Sequence, residues 1–292
     1  MITLRVPRRE VQGLAEASGH KVAGRPLVLI RGGGDLATGV AARLYRAGFA
    51  VLVTEIARPL AIRRLVALAE AVYAGEVRIE DLRGLLVNDA GAGPGALAAG
   101  VIPVVIDPTA EARKALQPAA LIDGRMLKAQ SELGMEAAPL VIGLGPGFTA
   151  GENCHAAVET NRGHRMGRVI WDGSTQPDTA VPEAVAGLDV ERVLRAPVAG
   201  VIHARCGLGK VVKKGERIVD IGDATLRAPF DGVLRGLMHD DLEVEAGAKI
   251  GDLDPRGDPG PCFEISDKAL AVGGGVLEAL LSRPEIRRLL AD

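Results

Sequence analysis

The sequence predicts an α/β protein, a doubly wound parallel sheet followed by a smaller module made only of β-strands. Three observations carry this. Continuous apolar runs without alternation, at 27–30 and 50–53 first of all, mark strands buried on both faces of a parallel sheet. A helical pattern of Leu36, Val40, Leu44 and Ala47, closed by Gly48, lies between those two runs. After Arg195, short β-type runs broken by glycine recur at a fixed offset.

Strand, glycine turn, helix, strand and terminal carboxylate is the dinucleotide-binding order, which makes the predicted sheet Rossmann-like. The glycines read as Gly-x-Gly-x-x-Ala at Gly32, Gly34 and Ala37, with Gly33, Asp35 and Leu36 between them. Gly32 is expected to allow the tight turn and Gly34 the approach of a pyrophosphate to backbone amides. Ala37 is expected to let the helix pack closely on the strand, and Glu55, 23 residues after Gly32, to accept a hydrogen bond from a ribose hydroxyl. Asp35 fits a phosphate pocket poorly. It reads either as a local helix cap with Arg31 as its ion partner, or as the holder of a metal ion or ligand donor group.

Further along, Pro59 is placed to lead a helix running to about residue 74. Apolar runs at 85–87, 102–106 and 120–122 predict more buried strands, with a helix from near Thr109. Residues 139–151 then repeat the pattern of an apolar strand entering a glycine loop, here Gly143, Gly145, Pro146 and Gly147. Ligands of open α/β sheets gather outside the carboxyl ends of strands, so this loop is expected to form the other wall of the same pocket. A polar cluster follows: Cys154, His155, Glu159, Thr160, Asn161, Arg162 and His164. On a helix His155 and Glu159 would share one face, as an ordinary ion pair or as chemical groups. Protonatable side chains beside a glycine loop make His155, Glu159, Arg162 and His164, together with Cys262, the catalytic candidates.

The chain of 292 residues is long enough for two domains, and its 48% hydrophobic content supports real cores. A net charge of −2 gives no reason to expect nucleic acid or an anionic membrane surface. Three cysteines, Cys154, Cys206 and Cys262, without CxxC spacing argue against a disulfide framework or a zinc site, and no metal site is expected. No run is long enough to span a membrane and no leader is evident, so a cytoplasmic protein is expected. The expected division is an N-terminal extension at 1–25, the Rossmann-like domain at 26–175 and a Pro/Gly-rich linker at 176–188. A β module at 191–256 and a C-terminal helical segment at 262–292, packing back on the Rossmann-like domain, complete it. The Gly273-Gly274-Gly275 triplet is read as standing just before an apolar helix turn, where a second helix or a ligand comes close.

Within the module, Arg195-Ala196-Pro197-x-x-Gly200-Val201 recurs as Arg227-Ala228-Pro229-x-x-Gly232-Val233, and Val212-x-x-Gly215-x-x-Ile218 as Val244-x-x-Gly247-x-x-Ile250. This resembles the biotinyl/lipoyl-like barrel-sandwich hybrid, read as two similar β units folded face to face. Carriers of that type modify a lysine in the central hairpin. Residues 220–226 have none, so a rigid scaffold or docking surface is expected and no attached prosthetic group. Together, the motifs at 31–39, 143–151, 159–164, 265–268 and 273–279 resemble the YqeB-type family of the selenium-dependent molybdenum hydroxylase system. The Rossmann-like half is also distantly similar to XdhC-type chaperones. The resemblance implies an accessory factor that matures a molybdenum hydroxylase, binds a nucleotide-bearing or molybdopterin-type ligand, and meets the hydroxylase or its maturation proteins. Cys154 and Cys262 would then be candidates to carry sulfur or selenium as thiolates. A homo-oligomer is compatible with this. The residues leave open an NAD(P)-dependent oxidoreductase, with His155 or His164 as acid, and a noncatalytic docking adapter.

Overall fold

The apolar runs at 27–30 and 50–53 become neighbouring central strands of a ten-stranded sheet. The computed structural model describes residues 20–127, 131–177 and 190–291, so most of the expected N-terminal extension and linker lie outside the described residues. The first half of the chain forms β1 (Lys21–Val22), β2 (Arg25–Arg31), β3 (Ala50–Glu55), β4 (Glu76–Ile79), β5 (Leu82–Val87) and β6 (Ile102–Ile106). It continues with β7 (Ala120–Asp123), β8 (Val141–Leu144), β9 (Thr149–Ala150), β10 (Ala156–Val158), β11 (Val169–Ile170) and β12 (Gly173–Ser174). The sheet order is β11-β10-β8-β7-β2-β3-β6-β5-β4, with β1 on β2; β9 and β12 form a separate pair.

Two expectations about fold class are corrected here. The sheet is mixed, not a doubly wound parallel one: β1, β4 and β11 run antiparallel to their neighbours. Helix α1 (Asp35–Arg46) crosses from β2 to β3 as expected, whereas α3 (Gly93–Ala98) and α4 (Ala112–Leu116) are stubs. Among the described residues the links from β7 to β8 and from β8 to β10 carry no α-helix. The Rossmann-like description therefore fails outside the β2–α1–β3 crossover. The turn of the β4–β5 hairpin, with Glu80 at φ 52°, lacks the glycine that would have announced it.

The β module is β13 (Val193–Arg195), β14 (Gly200–Ala204), β15 (Val211–Val212), β16 (Arg217–Ile221), β17 (Ala224–Arg227), β18 (Gly232–Leu237), β19 (Glu243–Val244) and β20 (Lys249–Asp254). These form two four-stranded antiparallel sheets, β13-β20-β18-β15 and β17-β16-β14-β19. The expected barrel-sandwich hybrid of two face-to-face units gives way to this interleaved arrangement. Each sequence repeat donates two strands to each sheet, because β13, β14 and β15 all find partners in the second repeat.

The segment after β3 also differs from expectation. Instead of one helix led by Pro59 it makes 3₁₀ turns at Arg64–Val66 and Leu68–Glu70 and a single-turn α2 (Ala71–Ala74). Its backbone is used to dock the β module. The Ile62 carbonyl accepts from Leu237 N at 2.9 Å, and Arg64 Nε donates to the Leu237 carbonyl at 2.8 Å. A continuous helix would have consumed the Ile62 carbonyl internally. Tyr73 and His239 stack across the same seam, ring centroids 3.9 Å apart.

The glycine triplet lies inside α5 (Asp267–Leu281), which Ser266 caps by accepting from Ala269 N at 3.1 Å. Helix α6 (Pro284–Ala291) follows. Gly273 of the triplet lets α5 press on α1. A Cβ on Gly273 would stand 2.7 Å from the Gly39 carbonyl oxygen, and one on Gly39 would meet Ala269 Cβ at 2.5 Å. Gly274 faces open space. Gly273→Ala should therefore destabilise the protein by about 1–3 kcal/mol despite the better helix propensity of alanine. Gly274→Ala should instead gain up to about 1 kcal/mol. Denaturant unfolding of both variants checks this, and equal effects at the two positions would contradict the helix contact.

Candidate functional site

The carboxyl ends of β2, β3, β7, β8 and β10 lie along one edge of the sheet. The Gly32 turn needs glycine, with φ 87° and a missing Cβ that would lie 3.1 Å from Arg125 Cγ. Gly33 needs it for packing, since a Cβ there would reach Ala69 N at 2.8 Å. Gly34 is different. Its backbone is extended at φ −64°, a Cβ would meet nothing within 4 Å, and it precedes α1 with no side chain capping the helix. The positive end of α1 is thus presented beside a residue whose lack of a side chain the protein's own packing does not require. Leu36 and Ala37 are buried, and Ala37 packs tightly enough that a Cβ on Gly124 would come within 2.9 Å of its Cβ.

Glu55 reaches back to this loop. Its Oε2 accepts from Gly33 N at 2.7 Å and its Oε1 from Ile56 N at 2.8 Å. Carboxylate oxygens have further lone pairs, so Glu55 both fixes the loop and keeps acceptor capacity for a ligand hydroxyl. Asp35 pairs with Arg63 at 3.5 Å rather than with Arg31. Arg31 is buried on the opposite face. There it donates to the Pro108 carbonyl at 2.6 Å, pairs with Glu132, and stands 3.8 Å from Asp123.

The segment after β7 joins the two glycine loops, and sequence reasoning missed it. Arg125 makes a bidentate pair with buried Asp123, at 2.9 and 2.7 Å, and Ser131 Oγ donates to Asp123 at 3.0 Å. Arg125 packs over Gly32, while Met126 and Thr160 crowd Gly145, whose missing Cβ would stand 3.1 Å from Met126 Cε. The two loops therefore share one edge, with 124–126 between them. The available signal was the charged Asp-Gly-Arg run directly after the apolar strand at 120–122. Pro146 and Gly147 lie in a loop held from within, the Gly147 carbonyl accepting from Asn153 Nδ2 at 3.2 Å.

The expected catalytic cluster is dispersed. His155 and Glu159 flank the strand β10, not a helix face, and lie about 13 Å apart along it. His155 sits at the amino end, away from the glycine loops, and its Nδ1 accepts from Val141 N at 2.9 Å. Burial, with Arg283 nearby, lowers its pKa, so it is a neutral backbone acceptor. Glu159 lies at the carboxyl end but is fully buried, each oxygen accepting a backbone N–H at 2.7 Å, from Asn161 and from Gln176. Arg162 forks onto Asp267 of α5 at 2.5 and 2.7 Å, and His164 is exposed. Cys262 is buried, yet its segment reaches the site through Arg63, whose Nη2 donates to the Pro261 carbonyl at 3.0 Å.

All three cysteines are free and buried. Burial pushes Cys154 up to about 12 and raises Cys206 and Cys262 as well, so all three are thiols at neutral pH and poor carriers of sulfur or selenium. Among the described residues no group of His, Cys, Asp or Glu is arranged to hold a metal ion, and no helix is long and apolar enough to cross a membrane.

No family model matches the chain. It is 44% identical over 278 residues to the uncharacterized protein YqeB of Escherichia coli strain K12, a likeness covering 95% of this chain and 51% of that relative. The likeness supports the YqeB-type resemblance, and the chain spans about half the length of the relative it matches. Among solved structures, an aspartoacylase family protein from Mesorhizobium loti is 10% identical, with TM-score 0.23, over 79% of this chain and 84% of that one. A succinylglutamate desuccinylase from Silicibacter sp. TM1040 is 14% identical, with TM-score 0.23, over 80% and 85%. Overlaps this slight carry nothing about activity.

Two outcomes follow. In the native protein a disulfide thiol reagent should titrate none of the three cysteines rapidly, and all three once the chain is unfolded; fast labelling of Cys262 in the folded state would contradict its burial. The His155 pKa is lower folded than unfolded, so His155 costs the fold stability only as pH falls below its unfolded value of about 6.5. Melting temperature should drop from pH 7 to pH 5, less steeply in His155→Asn. Identical slopes would contradict the neutral acceptor role.

Proposed function

We propose that the chain binds a phosphate-bearing ligand of nucleotide or pterin type at the amino end of α1, and that it serves as an accessory factor in maturing a molybdenum hydroxylase of the selenium-dependent system. The observation that carries the ligand reading is Gly34. No neighbour would touch a side chain there and no positive φ demands glycine, so close approach of a ligand to the first amides of α1 gives the residue its reason. Glu55, fixed on Gly33 N with acceptor capacity left, suits a ligand that also carries hydroxyls. The maturation role rests on the motifs that resemble the YqeB-type family; the likeness to uncharacterized YqeB, over half of that protein's length, carries no role of its own. The oxidoreductase alternative takes His155 or His164 as acid; His155 is at the other end of its strand, and no contact ties exposed His164 to the glycine loop at 32–34. It is not pursued.

Gly34→Asp tests the reading. An aspartate at this position caps α1, so stability should hold or rise by about 1 kcal/mol. Its carboxylate should also repel the ligand and weaken binding more than about tenfold. Calorimetry with NAD, ADP and a pterin nucleotide on both forms measures it, and unchanged affinity for whichever ligand the native chain binds would contradict the assignment. In cells, the same variant should leave the hydroxylase inactive at unchanged abundance of this protein.

A further inference from the structure

The order of the large sheet reverses between β2 and β7. Strands β3, β6 and β5 lie to one side of that point and β7, β8 and β10 to the other, all parallel to β2. Ligands of open α/β sheets bind outside the carboxyl ends of the strands at such a switch point. Arg31 and Asp123 end β2 and β7 and stand in register across it.

Two guanidiniums share one buried carboxylate here. Asp123 takes the Arg125 fork at 2.9 and 2.7 Å and the Ser131 hydroxyl at 3.0 Å, and it stands 3.8 Å from Arg31 Nη1. Arg31 is 2% exposed, and its Nε and Nη1 meet no acceptor among the described residues. Its charge therefore leans on Nη2, which donates to the Pro108 carbonyl and to Glu132 Oε1. Arg125 gives Nη1 to the same Glu132 oxygen at 3.2 Å and Nη2 to Oε2 at 3.0 Å. Both Glu132 oxygens thus lie on arginine N–H groups, yet the Glu132 side chain is 55% exposed. A buried arginine ordinarily closes on a buried acid, whereas this carboxylate reaches in from the solvent side.

The arginines need one negative charge in that place, because leaving Arg31 buried without it is strongly destabilising. A carboxylate from solution keeps both the charge and the two-oxygen geometry, while Glu132 returns to water. The exchange leaves no buried charge unpaired. We propose that Arg31 Nη2 and the Arg125 fork form a recognition site for the carboxylate of a small-molecule ligand at the switch point, and that Glu132 is the chain's own occupant, which such a ligand displaces. Glu132 then acts as an internal competitor that sets the affinity. Hydrogen bonds from Arg125 and Arg31 hold its carboxyl down to about 2, so it is ionised and in place throughout the neutral range. The site does not rest on Gly34. Arg125 touches the Gly32 turn through its Cγ, but its guanidinium joins Arg31 on the face opposite α1.

The probe is acetate, titrated into the isotopically labelled full chain in exchange for chloride at constant ionic strength, with the Arg125 Nε–H signal followed by NMR. Glu132→Gln keeps the side-chain length and removes the competing charge, so half-saturation should fall at least about tenfold below that of the native chain. Glu111→Gln is the charge-matched control, since Glu111 is also 55% exposed and pairs with Lys114 elsewhere. It should bind acetate as the native chain does. If Glu132→Gln gains nothing over the native chain, or Glu111→Gln gains as much, Glu132 is only a tie between strand ends and the inference is overturned, with the Gly34 reading untouched. Should Glu132→Gln fail to fold, the native chain decides. Concentrated acetate in place of chloride should move the Glu132 carboxyl carbon signal toward that of a solvated glutamate, and an unmoved signal would overturn the inference.

Discussion

Everything at the candidate site depends on how closely α5 approaches α1. Gly39 on one helix and Ala269 and Gly273 on the other remove the side chains that would hold the axes apart, leaving backbone against backbone. Pressed between α5 and the sheet, α1 has little freedom to shift along its axis. Its amino end is thus fixed at the carboxyl edge of β2, in line with the Gly32 turn. Thr38 reinforces this from below, its hydroxyl donating to the Gly34 carbonyl at 2.9 Å and accepting from Leu68 N at 3.0 Å. A helix end offers oriented amides to an anion only if it is held still, and this packing holds it.

The same economy joins the two units. Residues between β3 and α2 give up helical structure so that the Ile62 carbonyl and the Arg64 guanidinium can take the backbone of Leu237. Gly236 permits that contact, since a Cβ there would strike the Ile62 side chain at 2.6 Å. The segment that leaves Glu55 is therefore the one that carries the β module, and Arg63 stands at its centre facing Asp35. Glycine loop, docking segment and module are consecutive in space although 202 positions separate Asp35 from Leu237 in sequence.

That separation explains what the sequence could and could not reveal. The β2–α1–β3 crossover was legible because its strands are continuous apolar runs and its helix has one apolar face, both local signals. The mixed character of the sheet was not, because the β4–β5 turn uses Glu80 and Asp81 in place of a recognisable turn pair. The Pro59 helix misled because tertiary docking overrode a reasonable local pattern. The repeat was visible as a repeat, yet its strands pair between halves, and periodicity carries no information about partner choice. Of the candidate residues, the Gly32–Ala37 loop and Glu55 do come together, as their spacing implied. His155 and Glu159 part company because β10 is a strand of three residues, too short to distinguish from a helical turn by pattern. Arg63 and Arg125 were invisible as site residues, since charged residues acquire meaning only from the neighbours that folding brings.

The proposed seat of the phosphate-bearing ligand is the first amides of α1. Amide-resolved NMR of the isotopically labelled chain, titrated with ADP, tests it most directly. Saturable shifts are expected, largest at the amides of Gly33, Gly34, Asp35 and Leu36. Saturable shifts confined to other parts of the molecule, with the amides after Gly32 unmoved, would contradict it.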